Sequence, residues 1–197
     1  MNNQEIPQYI QNIKSRSTLR YYMGLIVRYK QWVKYEWARY IARKNGAIIG
    51  KEVILPLSLA KKANKNLIIG DYSSIQTDRI DLRSQVVIGS QVIIGIGSEI
   101  ITTSHNIDSP EWEVKFYGIQ IDSYVWIPTN VLILPSCRKI GYGAVVSSGS
   151  VVVKNVGDMS VIGGNPACEF KKRKMVHKNL VVEALLGGDY KRYKKIR

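Results

Sequence analysis

The sequence predicts a mainly β fold in which the chain winds into a solenoid of short, stacked strands. Between about residue 46 and residue 157, Ile and Val recur every six residues, and Gly or a small polar residue follows many of them. A six-residue period fits neither an α-helix nor an alternating strand. It does fit a solenoid in which each hexad forms one short strand and one corner, and in which stacked coils share a core.

The repeat can be followed through most of this segment. One-residue slips between Ile75 and Ile88 and at Arg138-Lys139 are interpreted as corner bulges. Three hexads per coil give a triangular cross-section and about five coils. A β-sandwich fits less well, because its strands recur at about 8–12 residues. The inward-facing residues are predicted to be Ile69, Ile75, Ile88, Ile94, Ile100, Ile121, Ile127, Ile133, Ile140, Val146 and Val152.

Residues 19–45 precede the repeat and differ from it in composition, with seven basic residues and one acid, Glu36. Apolar residues spaced three and four apart predict an amphipathic helix that ends near Asn45-Gly46. The favoured interpretation is that its aromatic face packs on the solenoid. A second is contact with an anionic membrane surface, and nucleic acid binding has no other support in the chain. The predicted face is Tyr22, Leu25, Ile26, Tyr29, Trp32, Val33, Trp37, Tyr40 and Ile41.

The chain is therefore predicted to have three parts. Residues 1–45 form a helical segment, and residues 46–157 form the solenoid, interrupted by a polar, aromatic loop at 101–118. Residues 158–197 form a basic tail with a short helix near 177–186. Long ordered loops are commonly functional, so the site is expected at 101–118.

Composition limits the partners and the compartment. A net charge of +14 predicts an anionic partner, which nucleic acid, lipid headgroups or a phosphorylated cofactor would each satisfy. Cys137 and Cys168 form no CxxC pair and do not make a disulfide framework, which favours a reducing cytoplasm; both are predicted to be buried. The first fifteen residues lack an apolar core, so no secretory signal is expected, and no apolar run is long enough to span a membrane.

The chain contains only two histidines, His105 and His177. This count excludes a three-histidine zinc site, which argues against the carbonic anhydrases built on such repeats. His177 lies in the basic tail and is predicted to be solvated. His105 lies in the 101–118 loop, where a neutral imidazole would be a competent general base near neutral pH. A backbone N–H at a coil corner would then stabilise the oxyanion of an acyl transfer.

Five motifs occur in one order over about residues 67–170, and together they are specific. Their combination resembles the hexapeptide-repeat O-acetyltransferases, a group that includes galactoside, maltose, nodulation-factor and capsule or colanic-acid acetyltransferases. The motifs are Ser104-His105-Asn106-Ile107-Asp108-Ser109-Pro110, Tyr124-Val125-Trp126-Ile127, Gly141-Tyr142-Gly143-Ala144-Val145-Val146, Gly149-Ser150-Val151-Val152 and Gly164-Asn165-Pro166-Ala167.

The resemblance implies a left-handed parallel β-helix that forms a homotrimer, with active sites between subunits. It also implies acetyl transfer from acetyl-CoA to a sugar hydroxyl, on a free or lipid-linked saccharide of a surface polysaccharide, with no metal and with His105 at the catalytic position. The expected location is the cytoplasm or the inner face of the plasma membrane. Transfer to an amino sugar or to a xenobiotic remains an alternative, as does a non-catalytic scaffold.

The resemblance also assigns roles to individual positions. The acceptor is expected at Asp78, Asp108 and Trp112. Three residues depart from the family pattern and are expected to reshape the CoA pocket: Pro128 and Ser147 replace glycines, and Val153 replaces a threonine. The CoA contacts are expected at Trp126, Ala144, Ser148, Lys154 and Lys171, the last of which is followed by two more basic residues.

Overall fold

The structure is a computed structural model that describes residues 8–197, so the first seven residues of the predicted helical segment lie outside it. The helices are α1 (Gln8–Lys14), α2 (Thr18–Lys44), α3 (Leu57–Lys62) and α4 (Tyr190–Tyr193), with a 3₁₀ turn at Val182–Leu186. Within residues 8–197, no helix has the length and the apolarity needed to cross a bilayer.

The remaining elements are short strands. In chain order they are β1 (Ile48–Ile49), β2 (Leu67–Ile69), β3 (Ser74–Ile75), β4 (Val86–Ile88), β5 (Ile93–Ile94), β6 (Glu99–Ile100), β7 (Thr103–His105), β8 (Val114–Phe116), β9 (Ile119–Ile121), β10 (Trp126–Ile127), β11 (Leu132–Ile133), β12 (Lys139–Ile140), β13 (Val145–Val146), β14 (Val151–Val152), β15 (Ser160–Gly164) and β16 (Ala167–Lys172).

Fourteen of these strands build three sheets that the chain visits in turn, while β7 and β8 pair only with each other. Sheet A has the order β1-β2-β4-β9-β12, sheet B β3-β5-β10-β13-β15-β16, and sheet C β6-β11-β14. Pairing is parallel within each sheet, except between β15 and β16. The succession β4, β5, β6 is one coil with one strand on each side. The parallel solenoid predicted by the six-residue period is confirmed.

The inward positions of the hexads stack in rows through the core. In sheet A, Ile88 lies opposite Ile121, and Ile121 lies opposite Ile140 in the next strand. All three side chains are at most 1% exposed. Removal of this apolar surface from water is the main favourable term in such a core. Each coil therefore depends on its neighbours for burial.

The small residue after the aliphatic one is explained by the close approach of neighbouring coils. A Cβ atom at Gly89 would lie 2.6 Å from the backbone nitrogen of Ser123 in the next coil. Cβ atoms essentially never approach backbone so closely. Gly89 is thus required by coil spacing, because a larger residue would force the coils apart.

Helix α2 begins after Ser17, whose hydroxyl accepts the N–H of Arg20, and it packs on the first coil. The prediction that its aromatic face packs there is wrong for six of the nine residues, although Ile41 does pack against the core. Ala38 and Ala42, on the opposite face, belong to the core of the solenoid. Their small side chains let the helix approach α3 closely, which bulky aromatic residues would prevent. Six predicted packing residues are instead exposed: Tyr22, Ile26, Tyr29, Val33, Trp37 and Tyr40.

A buried arginine accompanies this reversed packing. The side chain of Arg39 is 3% exposed. Its guanidinium group donates to the carbonyl oxygen of Val53 at 2.7 Å and pairs with Glu36 at 2.9 Å. A buried charge is tolerated when it has such partners, so the polar contacts stabilise this face of α2.

The C-terminal part also differs from the prediction. Strand β15 pairs in parallel with β13, so the solenoid continues beyond residue 157, and β16 then turns back. Helical structure begins only at Val182, so residues 177–181 are not part of a helix. The tail finally returns to α2, where the ring of Tyr193 stacks on Tyr21 at 5.0 Å.

Candidate active site

The segment predicted as an irregular loop forms a hairpin. Strands β7 and β8 pair antiparallel, with Thr103 opposite Phe116 and His105 opposite Val114. The hairpin leaves the solenoid after β6 of sheet C and rejoins it at β9 of sheet A. It therefore stands at the corner between sheets C and A. Side chains on paired strands are held more firmly than on an open loop, and this places His105 on a defined support.

His105 is anchored through one ring nitrogen. Its Nδ1 atom lies 2.8 Å from the carbonyl oxygen of Trp112, and its ring stacks on the Trp112 ring at 5.3 Å. A carbonyl oxygen only accepts hydrogen bonds, so Nδ1 must carry the proton. The neutral imidazole then has its free lone pair on Nε2. The exposed ring thus presents a proton acceptor on its outer edge.

The hairpin tip is closed by a second set of contacts. The backbone N–H of Asn106 donates to the carbonyl oxygen of Glu113 at 2.9 Å, and its side-chain amide donates to the Glu113 carboxylate at 2.8 Å. Hydrogen bonds from Ser109 and then Asn106 lower the pKa of Glu113 to about 2. The carboxylate therefore stays ionised and keeps these donors in place at neutral pH. The sequence alone did not single out Glu113.

The hairpin base is held by Asp81, another residue that the sequence did not single out. Its carboxylate accepts the backbone N–H of Thr102 at 3.3 Å and the hydroxyl of Thr103 at 2.9 Å. Burial alone would raise the pKa of Asp81, but hydrogen bonds from Arg83, Thr103 and Thr102 outweigh it and hold that pKa well below its usual range. An ionised Asp81 thus fixes the start of the strand that carries His105.

The residues expected to contact the acceptor fall into two places. Trp112 lies at the hairpin tip against His105, and Asp108 is exposed at the same tip. Asp78 is half-buried in the corner between sheets B and C, two residues before Ile80, which bridges to Ile100 of β6. Sheet C therefore separates Asp78 from the hairpin within one chain. Of these three residues, only Asp108 and Trp112 lie on the hairpin that carries His105.

The residues expected to contact CoA lie mainly along sheet B. Trp126 of β10 is exposed, and its backbone N–H donates to the carbonyl oxygen of the fully buried Ala144 at 3.0 Å. Lys171 of β16 lies opposite Val161 of β15 and is exposed. Ser148 is exposed in the turn between β13 and β14, while Lys154 is exposed beyond β14, past sheet C.

A largely apolar cleft of about 550 Å³ lies beside Trp126. Sheet B supplies one wall, which includes Trp126 and Pro128, and the C-terminal tail supplies the other. Pro128, a departure from the family pattern, thus directly shapes this cleft. The tail residues that line it are Arg173, His177, Leu180, Leu185 and Leu186.

The prediction that His177 is solvated is wrong. Its ring is half-buried, with Nε2 at 2.9 Å from the carbonyl oxygen of Gln91 and Nδ1 at 3.0 Å from the Arg173 guanidinium group. Nε2 must therefore donate and Nδ1 accept, which describes the neutral ring. Burial lowers the pKa of His177, in keeping with that form. Arg173 also donates to the carbonyl oxygens of Tyr124 and Gly143 at 3.2 Å. Arg173 and His177 together therefore bind the tail to the solenoid.

The two cysteines differ. Cys137 is buried as predicted, and burial raises the pKa of its thiol to about 11. Cys168 is exposed in β16, so the prediction that it is buried is wrong; β16 lies at the edge of sheet B, with no strand beyond it. Over residues 8–197, no group of three or more His, Cys, Asp or Glu side chains is placed to hold a metal ion.

The hairpin and Trp126 lie on different sides of the coil. Each coil passes sheets A, B and C in order, so the corner between C and A lies across the coil from sheet B. His105 stands at that corner and Trp126 lies on sheet B. One chain therefore presents a proton acceptor on one side and an apolar cleft on the other. Fold and site together define a hexapeptide-repeat solenoid with a histidine-bearing hairpin.

Known proteins with similar sequences and structures indicate the family to which this architecture belongs. No protein-family model matches the sequence. The chain is 31% identical over 142 residues to the colanic acid biosynthesis acetyltransferase WcaF of Escherichia coli K12, covering 72% of this chain and 78% of the relative. It is also 31% identical over 117 residues to a chloramphenicol acetyltransferase of Klebsiella aerogenes, covering 49% of this chain and 55% of that one.

Solved structures agree with the sequence comparison. A hexapeptide-repeat acetyltransferase of Vibrio cholerae, complexed with acetyl-CoA, superimposes with a TM-score of 0.62 and 25% identity, covering 81% of this chain and 92% of that one. The chain belongs to the hexapeptide-repeat acetyltransferases, and it is an acyltransferase. The resemblance drawn from the five motifs is confirmed.

Proposed function

We propose that the chain transfers the acetyl group of acetyl-CoA to a sugar hydroxyl during the synthesis of a surface polysaccharide, such as a capsule, an O-antigen or an exopolysaccharide. The observation that carries this proposal is the anchored ring of His105, with Nδ1 bound to the carbonyl oxygen of Trp112 and Nε2 left free. We place the reaction in the cytoplasm, where acetyl-CoA is made.

The chemistry follows from which ring nitrogen is free. Bound acetyl-CoA would supply a thioester whose carbonyl carbon is open to attack by an oxygen nucleophile. His105 Nε2 accepts the proton of the acceptor hydroxyl as the oxygen bonds to that carbon. When the carbon–sulfur bond breaks, the imidazolium returns the proton to the departing sulfur. The ring ends in its starting state, while the Trp112 carbonyl oxygen holds Nδ1–H throughout.

The residues expected to contact CoA suit the donor. A pantetheine arm is long and mostly apolar, which fits the cleft of about 550 Å³ beside Trp126. Phosphate groups favour lysine and arginine, and Lys171 and Lys154 are both exposed. Ser148 lies in an exposed turn, where its backbone can meet an amide of the arm. We assign Ala144 to the floor beneath Trp126, because its carbonyl oxygen is bound to that residue.

The positions of the His105 hairpin and of the cleft beside Trp126 support a homotrimer. A hairpin and a cleft on opposite sides of the coil cannot act together within one chain. In a ring of three identical chains, the hairpin of one chain faces sheet B of the next. We therefore propose that each active site combines His105 of one subunit with Trp126 of its neighbour. The left-handed coil sense of the family is part of this proposal.

The acceptor is proposed to bind at the hairpin. Trp112 stacks on His105 and Asp108 is exposed at the same hairpin tip, where an aromatic face and a carboxylate suit a sugar ring and its hydroxyls. Asp78 lies at a different corner, so we assign it to the acceptor bound at the hairpin of another subunit. The relative WcaF, named for colanic acid biosynthesis, supports a saccharide acceptor, on a free or lipid-linked chain.

A coenzyme A release assay tests this function. Purified protein is given acetyl-CoA together with single acceptors, namely neutral hexosides, an amino sugar and chloramphenicol. We expect free thiol to appear with a hexoside, and mass spectrometry to find one acetyl group on an oxygen of that sugar.

Two results would count against the proposal. Acetylation of the amino sugar nitrogen alone, or of chloramphenicol alone, would identify one of the alternative transferases. Failure to bind CoA in calorimetry, with no turnover of any acceptor, would favour a scaffold.

A further inference from the structure

The face of α2 that points away from the solenoid carries a long apolar row. Its members follow one another at intervals of three or four residues, so they line one side of the helix. All members after the first are between 45% and 59% exposed, and the row extends for about 30 Å. The row consists of Leu19 at one end, itself 71% exposed, then Tyr22, Ile26, Tyr29, Val33, Trp37 and Tyr40.

A basic flank runs beside this row. Lys30 and Lys34 continue the ridge begun by Met23 and Val27, and both lysines are exposed. Glu36, the only acid of α2, is already bound by Arg39 at 2.9 Å and by Lys191 at 3.3 Å. The outward face of α2 thus combines apolar side chains with positive charge that no acid on the helix offsets.

The opposite face holds the helix in place. Ala38 and Ala42 are part of the solenoid core, and Arg28 pairs with the buried Asp189 at 3.0 Å. The row can therefore meet a partner without any change in the fold. Within the row, Tyr29 contacts the ring of Tyr190 in α4 at 5.3 Å, so the test variants below leave Tyr29 unchanged.

The chemistry of the face selects its partner. Tyrosine and tryptophan rings favour the interface between lipid and water, and lysines beside an apolar stripe favour anionic headgroups. A nucleic acid would leave the apolar row unmatched. In a twofold pairing with a second copy of this face, two sets of Lys30 and Lys34 would meet without acids between them. An anionic bilayer satisfies both the row and the flank.

We propose that α2 is an interfacial helix that docks the enzyme on an anionic lipid bilayer. The apolar row enters the headgroup region, while Lys30 and Lys34 contact lipid phosphates. The proposal stands apart from acetyl transfer, because it concerns a face that carries none of the residues assigned to donor or acceptor.

Flotation with vesicles tests the proposal. The full chain is mixed with vesicles of phosphatidylcholine alone, or of phosphatidylcholine with about 30% phosphatidylglycerol, at low and high salt. We expect the protein to float with the anionic vesicles and high salt to weaken this binding. Ile26→Glu combined with Val33→Glu should reduce binding by about tenfold or more, because both side chains leave the apolar row and add negative charge.

A matched control places the same change at the far end of the solenoid. Phe170→Glu combined with Met175→Glu also converts two exposed apolar residues, which are 61% and 76% exposed, and should leave binding within about twofold of the unmodified chain. Circular dichroism checks that both variants fold. Lys30→Gln combined with Lys34→Gln should weaken binding to anionic vesicles and reduce its salt dependence.

Three results would overturn the proposal. The unmodified chain could remain at the bottom of the gradient with both kinds of vesicle. The control could lose as much binding as the α2 variant, which would remove α2 from the interaction. The α2 variant could change the mass of the oligomer in light scattering while binding vesicles like the unmodified chain, which would show that a second copy covers the row.

Discussion

Replacement of His105 by Ala is expected to lower kcat by about 10²–10⁴-fold, the range that positioned proton transfer contributes. His105→Asn is expected to lose as much, although its amide can still donate to the carbonyl oxygen of Trp112 and preserve the hairpin. Both variants keep the cleft beside Trp126, so the KM for acetyl-CoA should stay close to that of the unmodified enzyme. Steady-state kinetics of CoA release measures both parameters.

Glu111→Ala serves as the control, because Glu111 is exposed on the same hairpin and its side chain carries no assigned role. It should leave kcat within about twofold. Undiminished turnover by His105→Ala would remove this residue from the chemistry. A rise in the KM for acetyl-CoA with kcat unchanged would instead indicate a role in binding alone.

Replacement of Ile121 by Ala is expected to destabilise the fold by about 2–5 kcal/mol, the usual range for removing a large aliphatic side chain from a core. Ile121 is fully buried between Ile88 and Ile140 in sheet A, and it lies directly after the hairpin. The vacated space cannot be refilled easily, because the coils above and below are fixed by their own hydrogen bonds. The midpoint of urea unfolding, followed by circular dichroism, measures the effect.

Ile48→Ala is the matched control for Ile121. Ile48 also lies on a strand of sheet A, but it is 62% exposed in β1 at the first coil. Its replacement should change stability by less than about 0.5 kcal/mol. Equal losses at both positions would mean that the row of inward residues does not carry the stability of the solenoid.

The six-residue period predicted the solenoid because each inward side chain has the same neighbours one coil away. Ile88, Ile121 and Ile140 are stacked in this way in successive coils, and each lies at the same position of its hexad. The hairpin carries no such repeat, so its pairing of His105 with Val114 could not be read from spacing. His105 itself was singled out because it lies in the long insertion that interrupts an otherwise regular repeat.

Two features were hidden from the sequence for physical reasons. Periodicity identified the apolar row of α2 but not which face packs, since Ala38 and Ala42 bury little surface yet allow close approach. The course of the tail could not be predicted, because Arg173 and His177 bind backbone carbonyl oxygens, for example that of Gln91. Every residue has such an oxygen. The residue type of the acceptor therefore does not reveal contacts of this kind.

The proposed reaction depends most on an active site shared between chains. His105 stands at the corner between sheets C and A, whereas Trp126 lies across the coil on sheet B. A chain that lacks His105 would therefore still supply Trp126 to its neighbour, and a chain that lacks Trp126 would still supply His105. The direct test is to coexpress His105→Ala chains with Trp126→Ala chains and to measure CoA release by the mixed oligomer.

In random mixtures, a site has an intact His105 in half of the cases and an intact Trp126 in half of the cases. We therefore expect activity to return to about one quarter of that of the unmodified enzyme, well above either variant alone. Activity that stays at the level of the single variants would contradict the shared site.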